Sequence, residues 1–108
     1  MGSLAILLAV AALAQQAMPR MTVVEPDTGK IGAEITVKGE NLAKENVAKV
    51  YLTDGKNDLP LDLTGQAATE IKFKIPAKCQ AGRFSLMLLT TGNDPKLIEQ
   101  PVRLTVEQ

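Results

Sequence analysis

The sequence predicts an all-β fold, an antiparallel β-sandwich of about seven strands. After position 20, apolar runs of about five to eight residues recur along the chain, and turn-forming Gly, Pro, Asp and Asn separate them. No run keeps helical periodicity for about three turns. Seven short strands in about 85 residues are typical of an immunoglobulin-like sandwich, although this sequence lacks the Cys pair and the Trp that often fill its core.

The predicted strands end at turn-forming residues. Pro26 ends the first strand, and the hairpin signal Asp54-Gly55 ends the third. Pro60 has no amide hydrogen, which marks the fourth strand as an edge strand. In chain order, we expect strands at residues 21–25, 31–39, 47–53, 58–63, 68–75, 84–89 and 97–106.

Apolar and polar residues alternate within the strands, which predicts one buried face. Strand 84–89 is apolar on both faces, as a central strand would be. Its outward Met87 and Leu89 are therefore either covered by neighbouring side chains or the N-terminal segment, or exposed as a docking surface for another protein. The expected inward residues are Ile31, Ala33, Ile35, Val37, Val50, Leu52, Leu59, Leu61, Leu63, Ile71, Phe73, Ile75, Val102, Leu104 and Val106.

The second strand runs into the sequence Gly39-Glu40-Asn41-Leu42. We expect Gly39 to end the strand where a side chain would obstruct the turn, and Asn41 to hydrogen-bond the backbone of the turn. Leu42 is expected to fold back as a plug for the end of the sandwich. Glu40 is then free to meet a partner.

Residues 1–14 are predicted to be a signal peptide that forms a hydrophobic helix. The run from Leu4 to Ala14 has no polar residue but is too short to cross a bilayer, which requires about 20 residues. Ala12-Leu13-Ala14 supplies the small side chains that signal peptidase accepts. Because no basic residue precedes the apolar run, an uncleaved membrane anchor and a buried helix of the domain remain alternatives.

The remaining chain is expected to form a short linker at residues 15–20 and one domain at residues 21–108. Export would make this domain secreted, periplasmic or attached to the cell surface. The membrane would be met only during export or through an uncleaved anchor.

Charge and residue content argue against several classes of function. The 12 basic and 12 acidic residues balance, whereas nucleic-acid binding needs a basic patch. The sequence has no His to activate Ser85 or Cys79, so we expect no enzyme and no cofactor. Cys79 has no partner for an internal disulfide, and we expect a small, partly buried residue near a turn rather than a reactive thiol.

Acidic residues near Gly55 are the nearest approach to a calcium site. Asp54, Asn57 and Asp58 lie around this glycine, and Asp62 follows. Calcium needs about six to eight oxygen ligands, and this stretch does not repeat the ligand spacing of known calcium loops. We therefore expect a solvated hairpin tip and no metal.

Seven short motifs occur in order along the chain: VVEP, TGKIG, ITVKGENL, VAKVYLTDG, IKFKIPA, AGRFSLML and PVRLTV. Their order resembles that of IPT/TIG domains, the immunoglobulin-like modules of plexins, transcription factors and bacterial surface and secreted proteins. The resemblance covers residues 21–106 and implies the same fold. Some members contact DNA through basic loops that this sequence lacks. Others are receptor spacers, and bacterial copies accompany carbohydrate-active or adhesive domains.

We expect a non-catalytic, exported binding module that contacts an envelope protein or glycan through the loops at the sandwich ends. The alternatives are a structural spacer or assembly subunit, and a carbohydrate-binding accessory module whose aromatic platform could only be Tyr51. The candidate interaction surface is Tyr51, Met87 and Leu89. The candidate loop residues are Glu40, Asn41, Asp54, Lys56, Asn57, Asp58, Asn93 and Asp94.

Overall fold

A computed structural model describes residues 18–108 as nine β-strands, so the predicted all-β class is confirmed. The predicted signal peptide, residues 1–14, lies outside the described residues. The strands are β1 (Arg20–Glu25), β2 (Thr28–Lys30), β3 (Glu34–Glu40), β4 (Val47–Thr53), β5 (Asp58–Pro60), β6 (Leu63–Ala67), β7 (Glu70–Lys74), β8 (Gly82–Thr90) and β9 (Leu97–Glu107).

Two sheets enclose one hydrophobic core. The four-stranded sheet has the order β1-β3-β7-β6, and the five-stranded sheet has the order β2-β9-β8-β4-β5. All neighbours are antiparallel except β2 and β9. This arrangement is a β-sandwich, in which the inward side chains of both sheets interdigitate.

The alternation of apolar residues predicts most of the core correctly. Ile35 lies opposite Phe73 and Val37 opposite Ile71 across the β3–β7 pair, and all four side chains are buried. From the five-stranded sheet, the buried core residues are Val47, Val50, Leu52, Leu86, Leu88, Leu104 and Val106. The core is therefore largely aliphatic, with Phe73 as its one fully buried aromatic residue among those described.

Ile31 is an exception, because the prediction that it faces inward is wrong. Its side chain is 42% exposed. The backbone turns at this point: Gly32 has a φ of 86°, and the Ala33 amide donates to the Lys30 carbonyl at 2.9 Å. The predicted strand 31–39 therefore begins only at Glu34, and the three-residue β2 precedes the turn.

The predicted strand 58–63 is two strands that belong to different sheets. β5 pairs with β4 at the edge of the five-stranded sheet, as Pro60 indicates, whereas Leu63 begins β6 in the four-stranded sheet. Between them, the Leu61 amide donates to the Val50 carbonyl at 3.0 Å, and the Leu61 side chain is buried in the core. The chain crosses from one sheet to the other immediately after this residue.

Candidate binding surfaces

The predicted binding loops lie at opposite ends of the sandwich. The antiparallel register places Val47 opposite Thr90, so the β3–β4 loop (41–46) and the β8–β9 loop (91–96) share one end. The Thr91 amide donates to the Asn46 carbonyl at 3.3 Å, which ties these loops together. We call this end, formed by residues 18–19, 41–46 and 91–96, the Met18 end.

The remaining candidate loop residues, Asp54, Lys56, Asn57 and Asp58, lie at the other end, which comprises the β4–β5 turn (54–57) and the β7–β8 loop (75–81). We call it the Cys79 end. The structure thus brings Glu40 and Asn41 to the same end as Asn93 and Asp94, but separates all four from the 54–58 segment. The predicted loops therefore form two separate candidate sites, one at each end.

The Gly39–Leu42 segment departs from the prediction in two respects. β3 continues through Gly39 to Glu40, and a Cβ atom on Gly39 would clash with the Arg20 carbonyl oxygen. The glycine therefore permits the close approach of β1 rather than a turn. Asn41 has a φ of 57°, and its Nδ2 donates to the Met18 carbonyl at 3.0 Å, not to the backbone of its own turn.

Leu42 is fully buried, as predicted, and its amide donates to the Ala68 carbonyl at 2.8 Å. Gln66 completes this region: its Nε2 donates to the Leu42 carbonyl at 2.9 Å and to the Val47 carbonyl at 3.1 Å. Gln66 is not among the predicted site residues, since a lone Gln in a polar strand carries no local signal of such long-range bonds. These bonds hold the 41–46 loop against β6.

A cleft of about 410 Å³ opens at the Met18 end. Its lining is about half polar and half apolar, and it is built from segments that are distant in sequence. The Thr90 hydroxyl accepts a hydrogen bond from the Lys96 amide at 2.8 Å, and Lys96 Nζ lies 3.0 Å from Asp94 Oδ2 on the exposed loop. The lining residues are Met18, Pro19, Asn46, Thr90, Thr91, Gly92, Asn93, Asp94, Lys96 and Ile98.

The cleft offers amides, hydroxyls and one opposite-charge pair, which are groups that bind polar ligands. Pro19 is buried and Ile98 is half-buried, so both form an apolar floor beneath the polar loop. Asn93 and Asp94 are exposed at the rim. The side chains that line the cleft can therefore donate and accept hydrogen bonds to a polar ligand.

At the Cys79 end, the Asp54 carboxylate is engaged by its own turn. Its Oδ1 accepts hydrogen bonds from the Lys56 amide at 2.8 Å and from the Asn57 amide at 2.7 Å. Because backbone hydrogen bonds from Asn57 and Lys56 favour the charged form, they lower the pKa of Asp54 below its ordinary value. Among residues 18–108, no three acidic or Cys side chains are grouped closely enough to hold a metal ion.

Cys79 lies beside this turn, in the wall of a cleft of about 210 Å³ that Phe84 and Leu59 also line. The side chain is 8% exposed, and its Sγ is 3.5 Å from the Gln80 carbonyl oxygen. Burial raises the pKa of the thiol, which keeps it protonated near neutral pH. These features fit the expected packing role.

The outer face of the five-stranded sheet carries an apolar row, which we call the apolar stripe: Pro60, Tyr51, Met87, Leu89 and Leu97. Tyr51 lies opposite both Pro60 and Met87, and Leu89 lies opposite Leu97. Leu97 is 51% exposed, whereas Tyr51, Met87 and Leu89 are half-buried. The candidate surface Tyr51, Met87 and Leu89 is therefore one contiguous patch, and Leu97 extends it.

The outer face of the four-stranded sheet is different, because it carries charged residues. Lys38 Nζ lies 3.6 Å from Glu25 Oε2, and Lys72 Nζ lies 3.7 Å from Glu70 Oε2. Such a face remains solvated on its own, since its charged side chains gain from contact with water. The apolar stripe is thus a property of one sheet and not of the sandwich in general.

The fold and its surfaces define an immunoglobulin-like β-sandwich module. An IPT/TIG domain model matches residues 19–106, and the chain belongs to that family. No curated protein matches the sequence. Across residues 18–108, we find no helix with the length and hydrophobicity that membrane crossing requires.

Several solved structures share the fold. A protein of unknown function from Bacteroides thetaiotaomicron aligns with a TM-score of 0.69 and 20% identity, over 85% of this chain and 22% of its own. An auxiliary nutrient binding protein from Bacteroides ovatus aligns with a TM-score of 0.59 and 17% identity, over 85% of this chain and 21% of its own. A candidate phosphatase from B. thetaiotaomicron aligns with a TM-score of 0.58 and 16% identity, over 84% and 18%. This chain spans only about a fifth of each of these proteins.

Proposed function

We propose that this chain is a non-catalytic, exported binding module of the cell envelope, which contacts a glycan or protein partner through the loops of the Met18 end. The observation that carries the proposal is the cleft of about 410 Å³, where three sequence-distant segments converge on a polar rim. Clefts with an apolar floor and a few directed polar groups are the usual form of ligand sites.

Two further facts support a binding role. The chain belongs to the IPT/TIG family, and binding residues commonly lie on loops that a rigid β-sandwich positions. The nutrient binding protein from B. ovatus carries a region of the same fold. Export rests on the apolar run from Leu4 to Ala14, and intact mass measurement of the protein from its native cells tests cleavage after Ala14.

The experiment compares the two ends of the sandwich by retention of the purified protein on the envelope fraction of its native cells. The double variant Asn93→Ala/Asp94→Ala removes exposed rim side chains and is expected to lose most of this retention. Lys56→Ala at the Cys79 end is the matched control, because Lys56 is equally exposed, and it should be retained like the parent.

Treating the envelope with protease or with periodate then separates a protein partner from a glycan partner. Equal retention of the double variant and the parent would move the site away from the Met18 end. A parent protein that passes through the fraction without delay would contradict the binding role itself.

A further inference from the structure

We propose that the apolar stripe is a contact surface between two copies of this chain, in which Lys49 of each copy pairs with Glu99 of the other. This contact uses the face of the five-stranded sheet and not the loops at the Met18 end. It is therefore independent of the proposed function.

The stripe has the features of an interface. Leu97 and Pro60 are exposed, and Tyr51, Met87 and Leu89 fill the space between them as a half-buried row. A contiguous apolar row with a polar border on an outer sheet face is typical of a protein contact surface. Tyr is also among the residues that contribute most to binding energy at such surfaces.

The positions of two charges indicate a second copy as the partner. β8 lies in the middle of the stripe, with β4 on one side and β9 on the other. Lys49 on β4 lies level with Leu89, and Glu99 on β9 lies level with Met87. Lys49 and Glu99 thus flank the middle of the stripe on opposite sides, whereas Asp58 and Arg103 lie further along the strands.

A two-fold axis that lies in the interface and runs along β8 exchanges these flanks. It places β4 of one copy over β9 of the other, so that Lys49 approaches Glu99 twice in one dimer. Sheets packed face to face lie about 10 Å apart, and the two positions are offset by two residues, about 7 Å, along β8. The Cα atoms are then about 12 Å apart, a distance that extended Lys and Glu side chains together bridge. In this arrangement the two apolar stripes meet, and Lys49 of each copy faces Glu99 of the other.

Lys49 and Glu99 do not form an ion pair with each other within one chain. β8 separates them, and neither takes part in an ion pair among the described residues. Edge-to-edge pairing of the same sheet is disfavoured because Pro60 interrupts β5 and β2 has only three residues. The outer face, which carries the apolar stripe, is the part of this sheet that remains available for association.

Charge reversal tests this arrangement, with the association constant of the full chain measured by sedimentation equilibrium. Lys49→Glu places a carboxylate opposite Glu99 of the other copy, and Glu99→Lys places an ammonium group opposite Lys49 of the other copy. Each variant alone should dimerise about tenfold more weakly than the parent, because two ion pairs become repulsive. An equimolar mixture of the two variants should regain the parent's affinity as a heterodimer, and so should the double variant with itself.

Controls separate association from folding. Lys78→Glu reverses an exposed charge at the Cys79 end and should leave dimerisation unchanged. Melting temperatures are compared because Glu99 lines the same cleft as Arg103, which a new Lys would repel. Leu97→Ser provides an uncharged test, and it should weaken the dimer without entering the core, since Leu97 is 51% exposed.

The residues before position 18 are identical in every variant, so differences in association report the stripe. A monomeric parent across the micromolar range would overturn the proposal, and so would a mixture that associates no better than either single variant. Perturbation of the stripe by an envelope protein or glycan, with the parent remaining monomeric, would overturn it in favour of that partner.

Discussion

At the scale of single residues, Gly39 shows how a neighbouring strand can leave no space for a side chain. The residue lies inside β3, and its amide donates to the Thr69 carbonyl at 3.0 Å. On its other side, the backbone of Arg20 and Met21 occupies the space that a Cβ would need. The sequence pattern indicates that a glycine is needed at this position, but it predicts a turn as the reason. The close approach of β1 is a tertiary contact that the local sequence does not reveal.

Gly39→Ala should lower the free energy of unfolding by about 2 to 4 kcal/mol, because backbone atoms must move to admit the methyl group. Urea denaturation measures the change. Gly65→Ala is the control: a Cβ there would meet Lys72 Cβ at 3.6 Å, an ordinary contact, and the change should stay below about 1 kcal/mol. Equal effects at both positions would contradict the role assigned to Gly39.

Asp54 makes the stability of the β4–β5 turn depend on pH. Since the folded-state pKa lies below the ordinary value of 3.8, the charged carboxylate stabilises the folded state above that value. This contribution is lost as the pH falls through the lowered pKa. The melting temperatures of the parent and Asp54→Asn should therefore differ most near neutral pH and converge in acid.

Thermal melts at a series of pH values measure this convergence. Asp62→Asn changes an exposed aspartate outside the turn and serves as the control. A difference between the parent and Asp54→Asn that stays constant down to strongly acid pH would argue against the hydrogen bonds to Lys56 and Asn57 as its cause.

At the scale of strands, the long alternating runs could be predicted and the short polar strands could not. β7 shows a clear alternation, with Ile71 and Phe73 inward, because one of its faces contacts the core. β2 and β6 carry Gly, Thr, Gln and Lys with little alternation, and they exist because neighbouring strands supply backbone partners. Their backbone hydrogen bonds depend on tertiary structure, so the local sequence does not predict these strands.

Gln66 allows a test of whether β6 restrains the 41–46 loop. Gln66→Ala removes the donors to the Leu42 and Val47 carbonyls and should cost about 1 to 2 kcal/mol of stability. Hydrogen exchange should become faster for amides in the 42–47 segment, before the core amides of β7 are affected. Gln80→Ala, at an exposed position, is the control. Unchanged exchange in the 42–47 segment would mean that β6 does not restrain this loop.

At the scale of the whole molecule, the sequence predicts which loops are exposed but not which of them meet. The grouping of residues 41–46 with 91–96 follows from the pairing of β4 with β8, which brings Val47 opposite Thr90. The apolar stripe was predictable in part, because Met87 and Leu89 are apolar at outward positions of β8. Leu97 was not singled out, because its place beside Leu89 depends on the register between β8 and β9.

At the same scale, one hydrogen bond between β1 and β9 joins the two sheets. The Met21 amide donates to Oε1 of the buried Gln100 at 2.7 Å, which links an edge strand of one sheet to the other sheet. This bond satisfies two polar groups that would otherwise be costly inside the sandwich. It also fixes the path of the chain just after Met18, and with it one wall of the cleft.

This path has a practical consequence for any assay of binding. Residues 18–19 line the cleft, whereas β9 carries the chain to the opposite end, where Glu107 lies beside Lys30. A carrier protein or solid support joined directly before Met18 would crowd the cleft. The same support joined after Gln108 would hold the Met18 end outward, accessible to large insoluble material.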